Sequence, residues 1–200
     1  MTGTRDDRSL PELWLIRHGQ TEWSATGQHT GRTDIPLNEE GRREAKQLRH
    51  RLAAWRFTRV ITSPLQRAAE TCRLAGYGDG AELWNDLVEW DYGDYEGITT
   101  EQVQSERPGW IIWNGGVPNG ETAAHVGRRA DAVIAALADT EGHVALFGHG
   151  HMLRILAARW LGLPPENGRL LALDAASVSW LGYEHGLPVV RQWNLTFPAQ

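Results

Sequence analysis

Apolar residues along this chain fall in short runs separated by polar, glycine-rich stretches. The first run, Leu13-Trp-Leu-Ile16, ends on Arg17-His18-Gly19. A run this short, closed by glycine, reads as a buried strand that delivers its last residues to a loop. A polar loop through Gly27, Gly31 and Pro36 follows. Asn38 then stands as an N-cap before Glu39 and Glu40, whose charges suit a helix start. Ala45, Leu48, Leu52 and Trp55 recur at helical spacing on one face of that helix. Arg59-Val-Ile-Thr62 predicts a second strand, and Ser63-Pro64 reads as a cap with proline at the first helical position. The helix so begun carries Arg67 and ends before the glycines between 76 and 80.

Residues 81–120 are rich in Trp, Asp, Gly and Pro, with at most one short helix near Thr99 to Glu106. A long irregular segment of this kind is usually functional, and its aromatics argue against disorder. From about Glu121, Val126, Ala130, Val133, Ile134 and Leu137 mark one face of a long helix. His143-Val-Ala-Leu-Phe147 predicts a strand ending at Gly148-His149-Gly150, with a helix from Met152 to Leu161 behind it and Pro164-Pro165 stopping that helix. Ser177 to Tyr183 and Val189 to Trp193 predict two terminal strands around a turn at Glu184 to Gly186. Strands alternating with helices define an α/β fold with a mainly parallel sheet. Without a repeat or a linker, residues 1–200 read as one domain, with 1 to about 10 as a polar lead-in.

Composition narrows the function classes. A net charge of −5 gives no electrostatic footprint for nucleic acid, although locally placed arginines still suit a small anion. Cys72 is the only cysteine, which rules out an intrachain disulfide and a cysteine zinc site and fits the cytoplasm. The N-terminus carries no apolar signal segment, and no apolar run reaches bilayer-spanning length, so no membrane partner is expected. Self-association into a homo-oligomer is left open.

The chemistry-bearing residues sit at matching places. Arg17 and His18 end the first strand, Arg67 lies in the first turn after the second, and His149 ends the later strand. All face the carboxyl edge of an α/β sheet, where ligands bind. Helix N-termini at Pro64 and Gly150 would add backbone N–H groups, a good setting for phosphate. Guanidinium groups neutralise phosphoryl oxygens, and a neutral imidazole is a capable nucleophile at phosphorus. Arg17 and Arg67 disfavour the imidazolium of His18. A carboxylic acid is then needed to protonate the leaving oxygen. Glu89, Asp91, Asp94 and Glu96 all qualify on chemistry alone.

The ordered set Arg17-His-Gly19, Gly31-Arg-Thr-Asp-Ile-Pro-Leu37, Ser63-Pro-Leu-Gln-Arg-Ala-Ala-Glu-Thr71, Glu89-Trp-Asp-Tyr-Gly93 with Glu96-Gly97, Gly120-Glu121-Thr122 and Gly148-His-Gly150 covers nearly the whole chain. It resembles the histidine phosphatase superfamily, the group that shares a fold with cofactor-dependent phosphoglycerate mutase. The nearest likeness is to its sedoheptulose-bisphosphatase-like and mycobacterial acid-phosphatase-like subgroups. The resemblance implies a three-layer αβα sandwich and a phosphatase of small phosphorylated metabolites, among them sugar bisphosphates. It implies His18 as the phosphorylated nucleophile, Glu89 as proton donor, and Arg17, Arg67 and His149 as holders of the phosphoryl group. Gly19, Ser24, Thr30, Gly31, Tyr92 and Gly150 match substrate-binding positions. No metal and no cofactor are implied.

Two positions depart from the family's common pattern, Ser24 for Asn and Gln20 for Glu. The mutases carry a cationic insertion, whereas residues 98–119 here contain no lysine and only Arg107. Without that cover, water reaches the phosphoenzyme, which favours hydrolysis over mutase activity. The stretch Trp110 to Trp113 reads as pocket wall or core rather than the partner surface a protein phosphatase would need. His149-Gly-His151 has the form of some metal sites, but two histidines do not define one. A non-catalytic phosphate-binding module fits less well, because every expected catalytic residue type is present.

Overall fold

In the computed structural model, which describes residues 10–196, the first apolar run forms strand β1 (Pro11–Arg17). The chain continues through α1 (Glu22–Ala25), α2 (Glu39–Leu52), β2 (Phe57–Thr62), α3 (Gln66–Leu74), β3 (Glu82–Leu83), α4 (Thr100–Glu106) and α5 (Ile112–Gly115). It closes with α6 (Ala123–Leu137), β4 (Gly142–Gly148), α7 (Gly150–Trp160), β5 (Val178–Glu184) and β6 (Leu187–Leu195). The six strands form one sheet in the order β3-β2-β4-β1-β5-β6. Its β3/β2, β2/β4 and β4/β1 pairs are parallel, and the β1/β5 and β5/β6 pairs antiparallel.

The period-two alternation of the central strands divides the core into two layers. Leu13 and Leu15 of β1, with Val144 and Leu146 of β4, pack with Val126, Ala130 and Val133 of α6 and with Ile155 and Leu156 of α7. Trp14 and Ile16, with Ala145 and Phe147, instead meet Leu48 and Leu52 of α2 and Cys72 of α3. A strand buried on both faces must be apolar at every position, which is why these runs read as continuous rather than alternating. The outcome is the expected αβα sandwich around a mainly parallel sheet.

Several boundaries differ from the sequence reading. α2 ends at Leu52, and Trp55 lies beyond it, in ring contact with Trp14 at 4.5 Å. α3 begins at Gln66, not Pro64, because Leu65 takes the extended N-cap conformation. Segment 81–120 is more ordered than expected, with β3, α4, α5 and two 3-10 turns, Asn85–Leu87 and Gly93–Tyr95. α6 starts at Ala123, capped by Thr122 rather than opened by Glu121. The polar lead-in lies, but for Leu10, outside the described residues.

Candidate active site

Strand register brings the chemistry together. Arg17 of β1 is paired with Gly148 of β4, and the His18 N–H donates to the Gly148 carbonyl at 3.0 Å. Thr62 of β2 is paired with Phe147 of β4, whose carbonyl accepts from the Ser63 N–H at 2.9 Å. Three neighbouring parallel strands therefore release Ser63, His149 and His18 side by side at their carboxyl ends.

His18 is buried, with Nδ1 2.7 Å from the Gly19 carbonyl oxygen. A carbonyl only accepts, so Nδ1 carries the ring proton and the Nε2 lone pair is free. Burial, followed by the charges of Arg67 and Arg17, pushes the imidazole well below its ordinary pKa. His149 lies 5.2 Å away, ring to ring, and is likewise held neutral by burial and then by Arg67. Its Nε2 is 2.8 Å from Ser63 Oγ, and its buried Nδ1 has no hydrogen-bond partner within the protein.

Arg67 is a fully buried cation. Its guanidinium donates to the carbonyls of Thr30, Gly31 and Thr33 at 3.2, 2.8 and 3.1 Å. That loop is fixed from its other side by Glu96, which accepts from the Arg32 and Thr33 N–H groups at 2.7 and 3.2 Å. Arg17 donates to the Leu173 carbonyl at 2.5 Å. The Nε atoms of both arginines are buried without a protein partner.

Among the four acids left open by the sequence, geometry separates one. The buried carboxylate of Glu89 accepts from the N–H groups of Trp90, His151 and Met152 at 2.9, 3.1 and 2.9 Å, and it lines a cavity with His18 and Arg17. Asp91 accepts from Gly93 N–H, Asp94 from Asn119, and Glu96 from the Arg67 loop.

Both helix ends expected to bind phosphate are occupied by the protein's own carboxylates. Glu89 sits on the first turn of α7, and Asp34 Oδ1 accepts from Gln66 N–H at the start of α3, at 2.8 Å. Helix N-termini attract any suitable anion, and a carboxylate within reach competes as well as phosphate does.

The remaining expected residues divide between lining and support. Ser24, Thr30, Tyr92 and Gly150 line the cavity of about 380 Å³. Ser24 Oγ is engaged in a capping box with Thr21, accepting from its N–H at 2.9 Å. Gly19 and Gly31 support backbone instead. A Cβ on Gly19 would stand 2.4 Å from the Gly41 carbonyl oxygen, and one on Gly31 2.4 Å from that of Trp90.

Some residues of the site escaped the sequence reading, Ser63 as a buried partner of His149, and His151 and Arg154 as cavity lining. The sequence marks Ser63 as a helix cap and a motif residue without a role of its own, and His151 as a metal-ligand candidate. His151 Nδ1 is 2.6 Å from the Tyr92 hydroxyl, and burial keeps this histidine well below its ordinary pKa. Arg154 follows Gly150 by one helical turn, a spacing that placed it on the same face. It stacks over Trp113 at 4.6 Å and donates to the Gly168 and Arg169 carbonyls. Ile111, Ile112 and Trp113 form the apolar wall expected of that stretch. Among the described residues, no group of three or more His, Cys, Asp or Glu is arranged to hold a metal ion.

Buried histidines, two arginines with buried Nε atoms and one carboxylate, gathered at the carboxyl ends of the strands of an α/β sheet, form an arrangement suited to a phosphomonoester dianion. The sequence profile of the Histidine phosphatase superfamily (branch 1) matches residues 13–196, and the chain belongs to that family. It is 39% identical over 198 residues to an acid phosphatase of Mycobacterium tuberculosis, covering 97% of this chain and 95% of the relative. It is 37% identical over 188 residues to sedoheptulose 1,7-bisphosphatase of Saccharomyces cerevisiae, covering 76% and 68%. A solved structure of an open reading frame product from Mycobacterium tuberculosis superposes with a TM-score of 0.88 at 38% identity, covering 92% of this chain and 97% of the other. The protein is thus a phosphoric monoester hydrolase.

Proposed function

We propose that the chain, acting as a single domain, hydrolyses its substrate by two displacements at phosphorus through phosphorylated His18, without metal or cofactor. Nε2 attacks phosphorus as the ester P–O bond breaks, and Glu89 gives its proton to the leaving oxygen. A water then attacks the phosphohistidine, Glu89 takes the water's proton, and the N–P pair returns to His18. Arg17, Arg67 and His149 Nδ1 hold the non-bridging oxygens throughout, so most of the rate enhancement is positioning and charge stabilisation. Ser63 donating to His149 Nε2 leaves Nδ1–H as a donor for phosphate. The single observation that carries this reading is the fixed Nδ1–H of His18, which leaves Nε2 unprotonated beside two arginines.

A sugar bisphosphate is the substrate class we favour. Arg154, with carbonyls and Trp113 as its contacts, brings a further positive charge to the wall of the same cavity, suited to a second phosphate. The relative named sedoheptulose 1,7-bisphosphatase supports the same class. No helix among the described residues is long and apolar enough to cross a membrane. The location we favour is the cytoplasm, which the single free cysteine, Cys72, fits. The test is phosphate release in excess EDTA from sugar bisphosphates, sugar monophosphates, phosphoglycerates and an aryl phosphate. Selective turnover of a bisphosphate is expected. Activity that appears only on adding metal would refute the mechanism.

A further inference from the structure

Glu89 is held in place by more than its own carboxylate. Arg129 of α6, itself largely buried, reaches under the segment that carries it. Its Nη1 donates to the Asp86 and Val88 carbonyls at 2.9 and 2.8 Å, and its Nη2 to the Glu89 carbonyl at 3.3 Å. The same guanidinium forms a bidentate pair with Glu121, Nε to Oε1 at 3.0 Å and Nη2 to Oε2 at 2.7 Å. These five bonds account for all five donors of an arginine. Glu121 Oε2 also accepts from Asp91 N–H at 3.0 Å, and the Glu121 carbonyl accepts from Trp90 Nε1 at 2.9 Å. The backbone from residue 86 to residue 91 is therefore clasped along its length by one ion pair. Arg129 Nη1 further touches Met152 Sδ at 3.5 Å, in the helical turn whose N–H groups hold the Glu89 carboxylate.

We propose that Arg129, clamped by Glu121, is a positioning residue that sets the placement of Glu89 for proton transfer to the leaving group. The inference rests on Glu89 being the proton donor. The carboxylate hangs between two backbones, its own strand-like segment and the start of α7, and Arg129 touches both. A shift of one against the other moves the acid out of reach of the leaving oxygen. Lysine offers three donors and no planar fork, so it cannot serve the carboxylate and the three carbonyls together. A displacement of about 1 Å costs on the order of 10²-fold in rate.

The test compares kcat/KM of the full chain for 4-nitrophenyl phosphate and for the best-turned-over sugar phosphate. Arg129→Lys, Glu89→Gln and the double variant are measured beside the parent. We expect Arg129→Lys to lose on the order of 10²-fold on the sugar phosphate and at most a few-fold on the aryl ester, whose leaving group needs little protonation. The double variant should be no worse than Glu89→Gln alone. Equal losses of Arg129→Lys on both esters, or additive losses in the double variant, would overturn the proposal while leaving Glu89 as the acid. A Glu89→Gln variant without leaving-group selectivity would overturn the reading of Glu89 and this inference with it. If Arg129→Lys does not fold, Glu121→Gln carries the test. It removes the charge that clamps Arg129 and should show the same selectivity at smaller size, and equal losses on both esters would again count against the proposal.

Discussion

At the scale of single residues, the proposed mechanism depends on holding histidines neutral. The sequence showed Arg17 beside His18 and implied that positive charge would suppress protonation. The larger cause, burial, is invisible in a sequence because it depends on what the fold packs above the ring. With burial, Arg67 and Arg17 all lowering the His18 pKa, the proposed nucleophile stays unprotonated below the ordinary imidazole value of about 6.5. The acid limb of kcat/KM should therefore lie below pH 6.5, and a limb at that value would contradict the assignment. His18→Ala should remove essentially all phosphate release. Glu89→Gln should lower kcat/KM on the order of 10²–10⁴-fold on alkyl phosphates, with a much smaller loss of kcat/KM on an aryl phosphate. Composition could not choose among four acids, because the choice is made by the first turn of α7, more than fifty residues away in sequence.

At the scale of elements, the hydrophobic pattern located nearly every strand and long helix, since each buries an apolar stripe that periodicity records. Helix starts were less legible. Asn38 caps α2 as its sequence context indicates, because an N-cap is a local device. α3 is different: its first N–H, that of Gln66, is served by Asp34, a residue from another loop, so Ser63-Pro64 misled about where the helix begins. Asp34→Ala should cost about 1 kcal/mol of stability, the usual loss for a helix cap, measured by urea unfolding. An unchanged midpoint would show that water caps α3 equally well. The loop under Arg67 is tighter. A methyl at Gly31 meets the Trp90 carbonyl at 2.4 Å and the Glu96 side chain at 2.2 Å. Gly31→Ala should then cost about 1–3 kcal/mol and lower activity by displacing the carbonyls that hold Arg67. Full activity in that variant would contradict the link between this loop and the site.

At the scale of the whole molecule, α/β class and chain order followed from the alternation of patterns, whereas strand order did not. That β4 lies between β2 and β1 is what brings Ser63, His149 and His18 together, and it is a long-range pairing that no local signal encodes. The same burial has a global consequence. His18, His149 and His151 are held neutral when folded but bind protons when unfolded. The unfolded state therefore gains protons as pH falls through about 6.5, and folding stability drops by up to about 1.4 kcal/mol per pH unit for each histidine. A urea midpoint that stayed flat from pH 7 to pH 5 would contradict this. The account as a whole stands on one covalent intermediate. The most direct measurement is rapid denaturing quench of the enzyme during turnover in excess EDTA, followed by mapping of any acid-labile phosphoryl group by mass spectrometry. The account predicts a phosphoryl group on His18, formed at least as fast as kcat. Undiminished turnover with no label, or with the label on another residue, would contradict it.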